Sequence, residues 1–160
     1  MSIILIDKDK EQILIPNEAI RIRVIANSNE EKDLSIKNNL KDDINNEVEK
    51  LLKNVKSIEE AREILTKNIP NITVSVEKSL KRLNYNNDFN INYGLNYFPE
   101  KEFKEIKYPS GYYESLVISL GKGEGNNYWC VLYPPLCLIE ENDNNYEYRS
   151  IVKDLLDKYF

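Results

Sequence analysis

Apolar positions along the chain change period several times, and each change marks a predicted element. Ile20 to Ala26 (IRIRVIA) alternates, with Ile20, Ile22, Val24 and Ala26 on one face and Arg21 and Arg23 on the other. A short, β-branched run of this kind predicts a strand. From Ile36 the spacing becomes three to four: Ile36, Leu40, Ile44, Val48, Leu51, Leu52 and Val55 form one stripe, which predicts a long amphipathic helix. Ser28 followed by Glu31 has capping-box spacing and is expected to open that helix. Ser57 with Glu60 repeats the signature for a second helix, carried by Ile58, Ala61, Ile64 and Leu65. Pro70 suits the first turn of a third helix, carried by Ile72, Val76, Leu80 and Leu83. The ITVSV segment within it has β propensity, but the spacing of EKSLKRL continues the helix.

Beyond the turn at Asn84 to Asp88 the period returns to two. Phe89, Ile91, Tyr93, Leu95 and Tyr97 alternate with Asn90, Asn92, Gly94 and Asn96, predicting a strand with one buried and one wet face, ended by Pro99. EKEFKEIKYP reads as irregular or as a short edge strand. Tyr113 to Leu120 and Tyr128 to Tyr133 read as two strands joined by GKGEGNN, a β-hairpin with a glycine-rich tip. That hairpin is expected to tolerate replacement of Lys122–Gly125 by an Asn-Gly turn. Pro134-Pro135 stops the second strand. EENDNNYE follows as an acidic loop, and Tyr148 to Tyr159 as a closing helix through Ile151, Val152, Leu155 and Tyr159.

The expected order is β-α-α-α-β-β-β-α. This is an α/β (α+β) single domain, with a mixed sheet of at least four strands and helices mainly on one face. Residues 16–160 form its globular core. The β-prone runs at residues 3–6 and 13–15 flank a charged turn, DKDKEQ, and form either a small hairpin or a frayed terminus. At 160 residues the chain is long enough to bury one core.

Composition narrows the chemistry. A net charge of -5 disfavours nucleic-acid and anionic-lipid partners. Histidine is absent, which removes the usual general base and the commonest metal ligand. Two cysteines, Cys130 and Cys137, leave either a disulfide or two buried thiols; a zinc site needs four ligands. ANSNEEKD lacks the glycine and ligand spacing of a calcium loop and reads as a helix cap. GKGEG is not a phosphate loop, because Lys122 precedes Gly123 and the glycines lead into a strand. No catalytic, cofactor or metal residues are assigned, and no apolar run is long enough to insert in a membrane. Trp129 and Tyr128 point to opposite faces of a strand, so one is expected in the core and the other partly exposed.

Four of the five glycines, three of the six prolines, the one tryptophan and both cysteines fall in Tyr108 to Cys137. That segment, YPSGYYESLVISLGKGEGNNYWCVLYPPLC, and IPNEAIRIRVIANSNEEKDLSIK at residues 15–37 together resemble the stage II sporulation protein R family. The likeness covers nearly all of residues 15–139. It implies a non-enzymatic signalling protein, made in the forespore and exported to the space between the forespore and mother-cell membranes. There it would activate a membrane-embedded aspartic protease that processes pro-sigma-E. The resemblance also favours the Cys130–Cys137 disulfide. Family members carry a hydrophobic export segment, and the chain as given has none, which implies a removed leader. On this reading the expected partner contacts are Arg23, Asn27, Ser28, Lys122, Glu124, Asn126, Asn127 and Trp129. The competing expectation is a hydrolase of septal peptidoglycan or of a peptide, working through Asp and Glu.

Overall fold

In a computed structural model, residues 13–137 and 145–159 are described. The β-prone run at residues 3–6 and most of the acidic loop lie outside them. The elements are β1 (Ile13–Leu14), β2 (Ile20–Ile25), α1 (Glu31–Leu52), α2 (Ile58–Lys67), α3 (Ile69–Arg82), β3 (Phe89–Phe98), β4 (Lys101–Phe103), β5 (Ile106–Tyr108), β6 (Gly111–Leu120), β7 (Asn127–Tyr133) and α4 (Asn145–Tyr159). The fold is mixed α+β, in the predicted order of major elements.

The main sheet has the order β3-β6-β2-β7. β2 runs parallel to β6 and antiparallel to β7. This overturns the predicted hairpin, because β6 and β7 are consecutive in sequence but β2 lies between them. A tight turn joins strands about 4.8 Å apart, whereas β6 and β7 are separated by two such spacings. Residues 121–126 therefore step over the end of β2, and an Asn-Gly turn is not an equivalent substitute.

Helices α1, α2 and α3 cover one face of the sheet. Ile36, Leu40, Ile44 and Val48 of α1, Ala61 and Leu65 of α2, and Ile72, Val76 and Leu80 of α3 pack there against Ile20, Ile22, Val24, Leu116, Ile118 and Leu120. Ser57 caps α2 by accepting from the Glu60 N–H at 3.1 Å, while the Glu60 carboxylate accepts from the Lys56 N–H at 3.3 Å. Pro70 lies in the first turn of α3, whose ITVSV segment is helical. The start of α1 differs from expectation. The helix begins at Glu31, and Ser28 lies outside it with its hydroxyl directed elsewhere. The reason is that the backbone of Ala26 and Asn27 is bonded to the 121–126 loop, which keeps this segment out of the helix.

The opposite face carries a second core of Ile15, Ala19, Phe98, Ile106, Tyr108, Tyr113, Trp129, Val131, Leu136 and Val152. It is closed by α4 and by a small sheet of order β1-β5-β4. Thus Ile13–Leu14 pairs with β5, in parallel, and EKEFKEIKYP is not irregular but forms a β4–β5 hairpin, with β4 as a short edge strand. The burial of β3 also departs from a single buried face. Phe89, Ile91 and Tyr93 pack toward the helices, but Leu95 and Tyr97 on the same face are exposed, while Phe98 on the other face is fully buried. Helix cover ends partway along the strand, and the second core begins there.

Cys130 and Cys137 are joined by a disulfide, with Cα atoms 5.3 Å apart. The Pro134-Pro135 bend returns the chain onto β7, where the N–H groups of Leu136 and Cys137 donate to the Val131 carbonyl at 3.2 and 3.1 Å.

Candidate partner-binding site

The 121–126 loop lies across the carboxyl end of β2 and is tied to it by backbone. The Gly125 N–H donates to the Ala26 carbonyl at 2.9 Å, the Glu124 N–H to the Asn27 carbonyl at 3.1 Å, and the Ala26 N–H to the Asn126 carbonyl at 3.3 Å. Two glycines make this approach possible. Gly121 has φ +54, and a Cβ there would meet the Asn27 side chain. A Cβ on Gly125 would run into the Ser28 carbonyl. The glycine content seen in the sequence therefore serves close contact between two segments and not a free hairpin tip.

Polar side chains complete the knot. The Asn27 side-chain oxygen accepts from the Lys122 N–H at 2.9 Å, and its amide nitrogen donates to Asp33 at 2.9 Å. The Ser28 hydroxyl donates to the same Asp33 oxygen at 2.6 Å and accepts from the Glu30 N–H at 3.1 Å. Asn29 accepts from the Asn126 N–H at 2.7 Å. The bonds from Ser28 and then Asn27 hold the Asp33 carboxyl below its ordinary range, so it is ionised at neutral pH. From α1, the Lys37 ammonium reaches the Asn126 carbonyl at 3.3 Å; burial, and then Lys41, push its pKa down.

The expected contact residues fall into three groups. Asn27 and Ser28 have their side chains committed to the knot. Lys122, Glu124, Asn126 and Asn127 are held by it at the backbone or adjoin it in β7, with their side chains exposed. Arg23 and Trp129 lie on the opposite face of the sheet. Arg23 donates to the Tyr97 carbonyl at 3.3 Å. Trp129 is only 8% exposed, within the second core, so its side chain does not form contact surface. Tyr128 is half-buried, with its hydroxyl accepting from the Asn45 amide at 3.2 Å.

Trp129 instead forms part of a cage around Arg21, which was not among the expected site residues. The Arg21 guanidinium carbon lies 3.6 Å from the Tyr113 ring centre, 5.4 Å from Trp129, 5.6 Å from Phe98 and 5.9 Å from Tyr108. Arg21 is fully buried, and its guanidinium nitrogens have no hydrogen-bond partner among the described residues. Desolvation lowers its pKa to about 10, partly offset by Tyr113 and Tyr108, so it remains charged at neutral pH.

A third polar cluster lies at the far end of β6. Glu114 accepts from Arg62 Nε at 2.8 Å and from the Tyr93 hydroxyl at 2.7 Å. Burial raises the Glu114 pKa, but the Arg62 and Tyr93 bonds overcome it and leave the carboxyl below its ordinary range. A cavity of about 210 Å³ beside the disulfide is lined mainly by Val48, Leu52, Val55, Leu132, Tyr133 and Pro135, with Glu49 as its one carboxylate. Among the described residues no group of three or more Cys, Asp or Glu is placed to hold a metal ion, and no helix is long and apolar enough to cross a membrane.

Comparison with known proteins follows the same segments. The profile of the family described as Stage II sporulation protein R matches residues 16–143. The chain is similar to Stage II sporulation protein R of Bacillus subtilis (strain 168), 35% identical over 132 residues, covering 82% of this chain and 59% of the relative. The chain thus spans 59% of the length of that curated relative. No solved structure matches it.

Proposed function

The chain belongs to the stage II sporulation protein R family, and on that premise we propose that it is a non-enzymatic signalling ligand of sporulation. Exported from the forespore, it meets the extracytoplasmic side of a membrane-embedded aspartic protease in the intermembrane space and activates it. The protease then processes pro-sigma-E in the mother cell. The observation that carries this reading is the loop over β2. It presents Lys122, Glu124 and Asn126, with Asn127 beside it, as exposed side chains on a backbone fixed by Ala26, Asn27 and Asn29.

A preordered polar surface suits a ligand that must favour one state of its receptor. Only differential affinity for the two states shifts such an equilibrium, and a contact surface already ordered loses little entropy on binding. The carboxylates argue the same way. Asp33 is held by Ser28 and Asn27, and Glu114 by Arg62 and Tyr93, so neither has the free, paired arrangement of a glycosidase acid and nucleophile.

The test is reconstitution. Purified chain added to the lumenal or outer side of vesicles containing the protease and pro-sigma-E is expected to start cleavage of pro-sigma-E. Unchanged cleavage with and without the chain, in vesicles where the protease can be activated otherwise, would refute the proposal. Release of muropeptides from sacculi by the chain alone would support the hydrolase instead.

A further inference from the structure

We infer that the outer edge of β3 is a dimerisation strand, on which two copies of this chain pair their β3 strands antiparallel about a two-fold axis near Leu95. This goes beyond the ligand reading and does not depend on it. β3 is an edge of the main sheet, and no described strand pairs with its outer side, where the Tyr97 carbonyl accepts from the Arg23 side chain at 3.3 Å. It is ten residues long, and its register with β6 runs without a shift from Phe89 opposite Leu120 to Phe98 opposite Gly111. Its sequence, FNINYGLNYF, contains no charge and no proline, in a chain whose residues are 31% charged.

Exposed edges are normally blunted by charge, proline, bulges or short length, because they template pairing with another strand. The other edge, β7, has such devices. It is seven residues long, shows a register shift opposite Ile20 and Arg21, and runs into Pro134-Pro135 and the disulfide. β3 has none of them.

Apolar side chains mark the same place. Leu95 is 73% exposed, Tyr97 52% and Tyr112 72%, on the helix-bearing face of the sheet but beyond the end of the helix cover. The Tyr97 and Tyr112 rings meet edge-on at 5.5 Å. The occupant that fits is a second copy. An antiparallel pair about a two-fold axis keeps Leu95 and Tyr97 of both copies on one face, because paired residues then have the same parity. The strand is uncharged, so self-pairing opposes no like charges, despite a net charge of -5. The nearest charges on that face, Arg62 and Glu114, already neutralise each other within each copy. A ten-residue strand offers a strip about 33 Å long. That is a smaller footprint than the ~800 Å² per partner of a stable interface, so the dimer is expected at micromolar protein and not far below.

Sedimentation velocity of the purified chain over a micromolar concentration range is expected to show a monomer–dimer equilibrium. Leu95→Lys and Leu95→Glu each place like charges together at the axis, and each is expected to weaken dimerisation at least about tenfold. Their thermal melting should be unchanged, since the side chain is exposed. Mixing the two variants in equal amounts is expected to restore a dimer. A chain that is monomeric throughout the range, a dimer that persists in both variants, or a mixture that stays monomeric would each overturn the inference. No partner protein enters the experiment, so its failure leaves the protease reading standing.

Discussion

Replacing Lys122–Gly125 by an Asn-Gly pair is expected to lower the unfolding free energy by about 3–5 kcal/mol, a large part of the 5–15 kcal/mol typical of a domain. The shortened loop must still carry the chain from β6 past β2 to β7. In doing so it abandons the bonds from Glu124 and Gly125 to Asn27 and Ala26 and the bond from Lys122 to the Asn27 side chain. The Asn27 oxygen and the Ala26 carbonyl are then left without these donors at a packed strand end. Lys122→Ala and Glu124→Ala, which keep the loop length and both close-contact glycines, are expected to stay within about 0.5 kcal/mol of the parent. Urea midpoints of the three variants decide the matter. A shortened loop as stable as the parent would mean that the bonds across β2 contribute little.

The second large effect is at Arg21. Substitution by alanine empties a site enclosed by four aromatic rings and is expected to destabilise the fold by about 3 kcal/mol relative to methionine at the same position. Methionine itself is expected to lie within about 1 kcal/mol of the parent. The reason is a near balance. Moving the guanidinium out of water is costly, as its lowered pKa of about 10 records, while contacts with the rings return up to ~2 kcal/mol for a desolvated pair. Replacing a buried charge by an apolar side chain of similar volume is often neutral or stabilising. If methionine proves as damaging as alanine in thermal or urea unfolding, the charge itself, and not the filled volume, holds the second core.

The sequence carried the parts of this fold that depend on local period. The stripe from Ile36 to Leu52, the Ser57 cap and the Pro70 start marked three helices because each signal acts within one or two turns, while Val55, expected in the first helix, is buried just beyond its end. The sheet order did not show in the same way. β6 and β7 look like a hairpin to any reading of neighbours, and only the pairing of both with β2 separates them. The β4–β5 turn was hidden for a different reason. Lys104 and Glu105 have φ of +48 and +66 without the glycine, asparagine or aspartate that usually marks such a conformation. Arg21 was legible as a polar position on a strand, but a second core on that face could not be inferred from alternation alone. The same blindness explains Trp129. One of Trp129 and Tyr128 was expected in the core and the other partly exposed, as is found, but which of them is buried depends on Phe98, Tyr108 and Tyr113 arriving from distant elements.

Asn27 and Ser28 on one segment and Lys122, Glu124, Asn126 and Asn127 on another were expected contacts, and the structure brings those two segments together. What the sequence lacked was the reason for the glycines: the Asn27 side chain and the Ser28 carbonyl occupy the space that a Cβ would need.

Site-directed photocrosslinking measures the central proposal most directly. A photoreactive residue is placed at Lys122 or at Glu124, and, in separate proteins, at Glu63 or Lys67 on α2. The α2 positions adjoin the Arg62–Glu114 pair, about 20 Å along β6 from the loop. Crosslinks to the extracytoplasmic side of the protease are expected from Lys122 and Glu124, and none from Glu63 or Lys67. Crosslinks from α2 with none from the loop would contradict the proposal.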